Sequence, residues 1–452
     1  MSSVSDLYAK LKAFSKHVFP LEGKKFYFVK VDVQSAFDTM PQDSVVRLME
    51  AIPSEARYLI SKYVEVKQGD PGQGKTTDGP KPSRRWLSLA TAPREKASFA
   101  QQLEKRLAPN KKHTIFVNSG ARRVHDTKTL SALLKSHVEQ NLVKVGKKFY
   151  RQKRGVPQGS VLSAAFCNYF YADLERQHLA FLGEPDDDEG GSGTLLLRLI
   201  DDFLLITTSR TKAVRFTEVM HAGLPDYGVT IRPEKSLANF SVSPTLTSPS
   251  LPRCATTLFP YCGTQISTTD LSISKDHLTR NQGARVSDSL TVEASRRPGH
   301  NFSRKTLNAF RLQSHAMFYD TTHNRPRVAL SNLRGALVET ARKACAYVAC
   351  LPREKRPVEG LVVATVRKLV DVAYNLLTAG DRRVKFPGYE CSVSRAQVKA
   401  LALGAFMEVM RGRMVGYEGV MSWIEGEMRD LVAEKGHRRR ITAAGRNARG
   451  AS

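Results

Sequence analysis

The sequence predicts an α+β fold: an antiparallel sheet packed on helices over about residues 1–270, then an all-helical part over 271–436. Three observations carry this. FYFVKVDV (26–33) is dense in aromatic and β-branched residues, as a strand requires. TLLLRLIDDFLLITT (194–208) reads as two apolar strands interrupted by Asp201 and Asp202, a hairpin with the acidic pair at its tip. After residue 270, GLVVATVRKLVDVAYNLL and SRAQVKALALGAFMEVM place apolar residues at helical spacing.

The first element is an amphipathic helix with Val4, Leu7, Leu11, Phe14 and Val18 on one face, stopped by Pro20. In the strand that follows, alternation puts Tyr27, Val29, Val31 and Val33 on one face and Phe28, Lys30 and Asp32 on the other. Residues 67–95, rich in Gly, Pro, Ser, Thr and Lys, read as loop. Residues 160–182 read as a long helix with Ser160 as its N-cap. The acidic, glycine-rich 184–193 reads as a solvated linker. Ser394 and Gln397 form a capping box that opens a later helix. The tail, 437–452, is basic and expected to be disordered.

Seventy Lys and Arg against 43 Asp and Glu give a net charge of +27, a field that favours a polyanionic partner. No apolar run approaches the roughly 18 residues of a membrane span, so no membrane partner is expected and nucleic acid is preferred over an acidic bilayer. None of the six cysteines forms a C-x2-C pair, which argues against zinc and for reduced thiols in an intracellular compartment.

The acidic residues carry the chemistry. A strand-end Asp32 beside a hairpin-tip Asp201–Asp202 pair supplies hard oxygen ligands for two divalent cations about 4 Å apart, the arrangement that nucleotidyl transfer needs. A single Asp in a turn is ordinarily a structural residue. An acidic pair set so tightly between apolar strands calls for another reason.

The motifs around these residues resemble the reverse transcriptases. KVDVQSAFD (30–38) is similar to their motif A, RGVPQGSVLS (154–163) to motif B and LRLIDDFLLIT (197–207) to motif C. YGVTIRPEKSLANF (227–240) is similar to motif D and LFPYCGTQI (258–266) to motif E, in the family's order. Within that family the style is that of telomerase reverse transcriptases. Ile-Asp-Asp stands at motif C where retroviral enzymes carry Tyr-Met-Asp-Asp, and a long segment separates motifs A and B where telomerase carries an insertion in its fingers. NFSRKTLNAFRLQSHAMF (301–318) resembles the telomerase thumb.

The resemblance implies a reverse transcriptase palm over 1–270, with a fingers-type insertion at about 55–145, and a helical thumb over 271–436. It implies that Asp32, Asp201 and Asp202, helped by the backbone carbonyl of Val33, hold two Mg²⁺ ions and catalyse addition of dNTPs to telomeric DNA 3′ ends on a telomerase RNA template, in the nucleus. Phe37 would reject the 2′-hydroxyl of an incoming rNTP. Gln158 and Gly159 would contact the nucleotide or template, and Lys235 the leaving pyrophosphate. Tyr261, Cys262 and Gly263 would grip the primer, with Tyr261 where telomerases more often carry Trp. Lys305 and Arg311 would meet the nucleic-acid backbone.

Two features stand apart. GDPGQGKT (69–76) fits a P-loop pattern, but Gly79, Pro80 and Pro82 follow where a helix would start, so the match is taken as accidental. Only about 25 residues precede the motif A strand, where a telomerase subunit carries an N-terminal domain, an RNA-binding domain and fingers motifs 1 and 2. The chain is therefore expected to be the C-terminal half of a larger protein. A retroelement or group II intron-like reverse transcriptase, and a catalytically silent nucleic-acid-binding fragment, are the alternatives.

Overall fold

The computed structural model describes residues 4–18, 25–67, 82–93, 98–108, 111, 113–185, 193–241, 251–276, 286–293, 296–412 and 415–449. The P-loop-like segment lies outside them, as does most of the acidic linker. The elements begin with α1 (Val4–Val18), β1 (Tyr27–Asp32), α2 (Ala36–Thr39) and α3 (Gln42–Glu50). Next come β2 (Arg57–Lys67), β3 (Ser83–Thr91), α4 (Phe99–Gln102), β4 (Thr114–Asp126), α5 (Thr127–Glu139), β5 (Leu142–Val145) and β6 (Lys148–Arg151). Then follow α6 (Ser163–His178), β7 (Thr194–Leu199), β8 (Asp202–Thr207), α7 (Arg210–Ala222), β9 (Leu237–Ala238), β10 (Leu258–Tyr261), β11 (Thr264–Ser267) and β12 (Ile273–Lys275). The rest is helical: α8 (Pro298–Gln313), α9 (Pro326–Ala349), α10 (Glu359–Thr378), α11 (Gly380–Lys385), α12 (Arg395–Met410) and α13 (Glu418–Arg449).

The central sheet is antiparallel in the order β7-β8-β1-β9. Its two faces enter different cores, as the alternation in β1 predicts. Val29, Val31, Phe203 and Leu205 pack with Phe166, Phe170 and Tyr171 of α6 and Phe216 of α7. Phe28, Leu197, Leu204 and Ile206 pack on the other side, in a core that continues through β10–β12 into the helical part. Helix α1 lies in that second core. Its Tyr8 and Lys12 both donate to the fully buried Asp320, and Lys12 also donates to the Gly388 carbonyl at 2.7 Å.

Four local expectations change. Residues 83–91, read as loop, are strand β3, paired with β2 along its whole length from Leu59↔Thr91 to Lys67↔Ser83. Their charged and polar outer residues obscure the alternation of Leu87, Leu89 and Thr91. Helix α6 starts at Ser163, not Ser160, because the Ser160 hydroxyl accepts from the Leu162 amide in a local turn at 3.2 Å. The tail expected to be disordered from 437 is helical as far as Arg449, where Arg and Ala, both good helix formers, outnumber Gly. The β10–β11 sheet takes its third strand, β12, from beyond residue 270. The capping box at Ser394 and Gln397 forms as expected.

Candidate active site

The site is built at one end of the β1–β8 pair. Asp32 and Asp202 are directly opposite partners, so their Cα atoms lie about 5 Å apart and their side chains leave the same face. Asp201 occupies the two-residue β7–β8 turn with Ile200, whose φ of 59° is unusual for a β-branched residue. That conformation is held from both sides. The Val33 amide donates to the Asp201 carbonyl at 3.4 Å. Arg198, buried and paired with Glu175, donates to the Ile200 carbonyl at 3.1 Å and to Asn168 on α6.

Two lysines face the carboxylates. Lys235 Nζ lies 3.2 Å from Asp32 Oδ2, and Lys30 Nζ lies 4.0 Å from Asp202 Oδ1. Burial, together with the neighbouring Asp202 and Asp32 charges, holds the Asp201 carboxyl above its ordinary value. Burial also raises Asp202, with Lys30 opposing and Asp32 adding to the shift. Crowded, partly desolvated carboxylates of this kind favour a cation as neighbour. Among the described residues, no three His, Cys, Asp or Glu side chains are arranged to hold a metal ion unaided.

The turn carrying Phe37 and the loop carrying Gln158 are joined to each other, and the β10–β11 turn meets Asp202. Phe37 is half-buried, and its carbonyl accepts from the Val156 amide at 2.7 Å. Gly155, with φ at 75°, lies against the same turn: a Cβ there would sit 2.2 Å from the Phe37 oxygen and 2.6 Å from the Asp38 Cα. Gln158 is exposed and donates to Asp38 Oδ1 at 3.4 Å, while Gly159, with φ at 80°, faces open space. Cys262 and Gly263 form the β10–β11 turn, both with positive φ, and Cys262 Sγ lies 3.9 Å from Asp202 Oδ2. Tyr261 differs from its expected role as a gripping surface. It is 1% exposed, and its hydroxyl donates to the Asp202 carbonyl at 2.9 Å, so it braces the acidic strand from behind. Lys305 lies on α8, away from the carboxylates, and pairs with Glu293 at 3.0 Å; Arg311 is exposed on the same helix, bonded to Asn308.

Sequence reasoning passed over Lys30 as a functional residue, although alternation already set it on the face of Asp32. It also passed over His137, whose Nε2 lies 2.9 Å from the Ser160 hydroxyl. No local pattern joins these two residues, which are 23 positions apart. Gln42 donates to the carbonyls of Gly155 and Val138 and so ties α3 to the motif B loop.

An antiparallel sheet that opposes one strand-end Asp to a hairpin Asp pair, with helices behind and a turn alongside, defines a reverse transcriptase palm. The family model for reverse transcriptase (RNA-dependent DNA polymerase) matches residues 111–264. Telomerase reverse transcriptase of Canis lupus familiaris is 30% identical over 364 residues, covering 78% of this chain and 31% of that protein. The Mus musculus counterpart is 28% identical over 86% of this chain and 34% of its own length. A solved telomerase from Candida albicans, in complex with a TWJ fragment of telomeric RNA, shares the fold at a TM-score of 0.56 and 14% identity, over 94% of this chain and 53% of that one. Similarity to telomerase reverse transcriptases runs over most of the chain, which spans about a third of the length of the curated relatives it matches. The reverse transcriptase family implies catalysis that depends on divalent metal.

Proposed function

We propose that this chain carries the polymerase centre of a telomerase, adding dNTPs to telomeric DNA 3′ ends against a telomerase RNA template, in the nucleus at chromosome ends. The observation that carries the reading is the opposed Asp32–Asp202 pair with Asp201 in the adjoining turn. Asp32, Asp201 and Asp202, with the carbonyl of Val33, are the groups that would hold two Mg²⁺ ions. When bound, the ions lower the pKa of the attacking hydroxyl and neutralise charge on the leaving pyrophosphate.

The protein's own groups do the positioning. Phe37, five residues after Asp32, is the ring that would exclude a 2′-hydroxyl. Gln158 and Gly159 present side chain and bare backbone to the nascent base pair. Lys235, near Asp32, supplies a counter-charge or proton to the leaving group. The Cys262–Gly263 turn carries the primer end, with Tyr261 supporting Asp202 beneath it. Residues 1–270, with the insertion at 55–145, act as palm and partial fingers. Residues 271–436 act as thumb, where Lys305 and Arg311 meet the duplex backbone.

Primer extension with a telomeric oligonucleotide, template RNA, dNTPs and Mg²⁺ tests this. Extension that Asp201→Ala abolishes supports it. Binding of the same primer and template without extension supports the second reading, a nucleic-acid-binding module.

A further inference from the structure

The loop that carries Gln158 and Gly159 is held unevenly. On its upstream side every backbone polar group has a partner. The Gly155 amide donates to the Met40 carbonyl at 3.1 Å and the Val156 amide to the Phe37 carbonyl at 2.7 Å. Gln42 Nε2 donates to the Gly155 carbonyl at 2.9 Å, Gln152 Nε2 to the Val156 carbonyl at 3.3 Å, and the Ser163 hydroxyl to the Pro157 carbonyl. The tip is different: among the described residues, the backbones of Gln158 and Gly159 hold no hydrogen bond, and a Cβ on Gly159 would meet nothing.

On the downstream side packing gives no hold, because Val161 is 95% exposed and Leu162 40%. Among the described residues, the side chain of Ser160 makes one bond to another element there, its hydroxyl lying 2.9 Å from His137 Nε2. The anchor is firm. His137 lies in the last turn of α5, next to the fully buried Val138, whose carbonyl accepts from Gln42 at 3.2 Å. Its ring lies against Phe166 of α6, with centroids 6.4 Å apart. Ser160 Oγ already accepts from the Leu162 amide at 3.2 Å, so its own proton is left for His137 Nε2. The neutral ring with its proton on Nδ1 is the matching acceptor.

We propose that His137 is a positioning residue, which fixes the Gln158–Gly159 tip through Ser160 and so sets the affinity for the incoming nucleotide. This rests on the reading that Gln158 and Gly159 meet the nascent base pair. A tip tied on one side only has to be ordered when the nucleotide arrives, and that ordering is taken from the binding free energy. The bond from His137 orders it beforehand.

Two measurements test this, one of them without catalysis. Backbone hydrogen exchange at 158–160 in the free protein should be about fivefold faster in His137→Phe, which keeps a ring against Phe166 but has no acceptor. His137→Gln, whose amide oxygen can take the place of Nε2, should restore the slow rate. In primer extension, His137→Phe should raise the dNTP KM about fivefold with a smaller change in kcat, and His137→Gln should reverse the rise. Ser160→Ala should match His137→Phe in KM, and the double variant should be no worse than either, because both changes remove one interaction. A wild-type exchange rate at the tip of His137→Phe, or a lower melting temperature and kcat at unchanged KM, overturns the proposal and leaves His137 a packing residue. Asp201→Ala should lose extension yet keep the wild-type exchange rate at the tip. Absence of extension in every chain, wild type included, counts against the polymerase reading, while the exchange rates still decide the role of His137.

Discussion

Gly155→Ala should break the join between the turn carrying Phe37 and the loop carrying Gln158. The new Cβ would lie 2.2 Å from the Phe37 carbonyl oxygen and 2.6 Å from the Asp38 Cα, both backbone atoms that no rotamer change can move. Relief to an ordinary contact needs about 1 Å of separation. The left-handed φ of 75° adds roughly 1 kcal/mol for a residue with a Cβ. The separation also pulls apart two backbone hydrogen bonds, Gly155 N to Met40 O at 3.1 Å and Val156 N to Phe37 O at 2.7 Å. Each contributes about 1 kcal/mol net, so the total loss is about 3 kcal/mol. A displacement of that size beside a reacting centre costs on the order of 100-fold in rate.

Gly159→Ala is the matched control. Its φ of 80° carries the same conformational cost, but a Cβ there meets nothing within 4 Å. It should lose about 1 kcal/mol of stability, while extension falls if a base pair approaches that backbone. Thermal unfolding and primer extension on the two variants separate the terms. Equal melting losses in both, or a Gly155→Ala chain as stable as the wild type, would refute the reasoning.

Tyr261→Phe removes the hydroxyl that braces the Asp202 carbonyl, and should cost about 1 kcal/mol while lowering kcat more than it moves the dNTP KM; steady-state extension kinetics check the split. Phe37→Ala should relax rejection of rNTPs, read as the ratio of rNTP to dNTP incorporation; an unchanged ratio removes Phe37 from sugar selection. Lys12→Met strands the buried Asp320 carboxylate and should cost about 3 kcal/mol in denaturant unfolding. Burial lowers the His323 pKa from 6.5 to about 4, so the unfolded chain takes up the proton first. This contribution to stability is intact above pH 6.5 and is lost as pH falls from 6.5 towards 4. A His323→Gln chain should show a flatter stability profile over that window, measured by unfolding at stepped pH.

What the sequence could show was set by range. The β1 alternation and the acidic hairpin were legible because polar residues at regular places in apolar strands have few meanings. The strand alternation even set Lys30 on the right face, but its approach to Asp202 depends on pairing across 172 positions. Tyr261 read as a residue of the primer-gripping motif. Its burial comes from the second core, which no local pattern reports. The β3 strand was lost among charged residues because its outward face, with Arg84 and Trp86, lacks the apolar–polar contrast that marks a half-buried strand. The docking of α1 against Asp320 joins residues 308 apart, beyond any periodicity.

The core that runs from Phe28, Leu204 and Ile206 through Phe259 and Ile273 to Phe310, Leu337 and Leu403 gives the two halves a common solvent-free interior. Unfolding the helical half would expose the back of the strands that carry Asp32 and Asp202. The boundary near residue 270 therefore separates two architectures but not two cooperative units. Heating should melt them in one transition. The geometry of the acidic corner is thus linked thermodynamically to helices that contribute no atom to it.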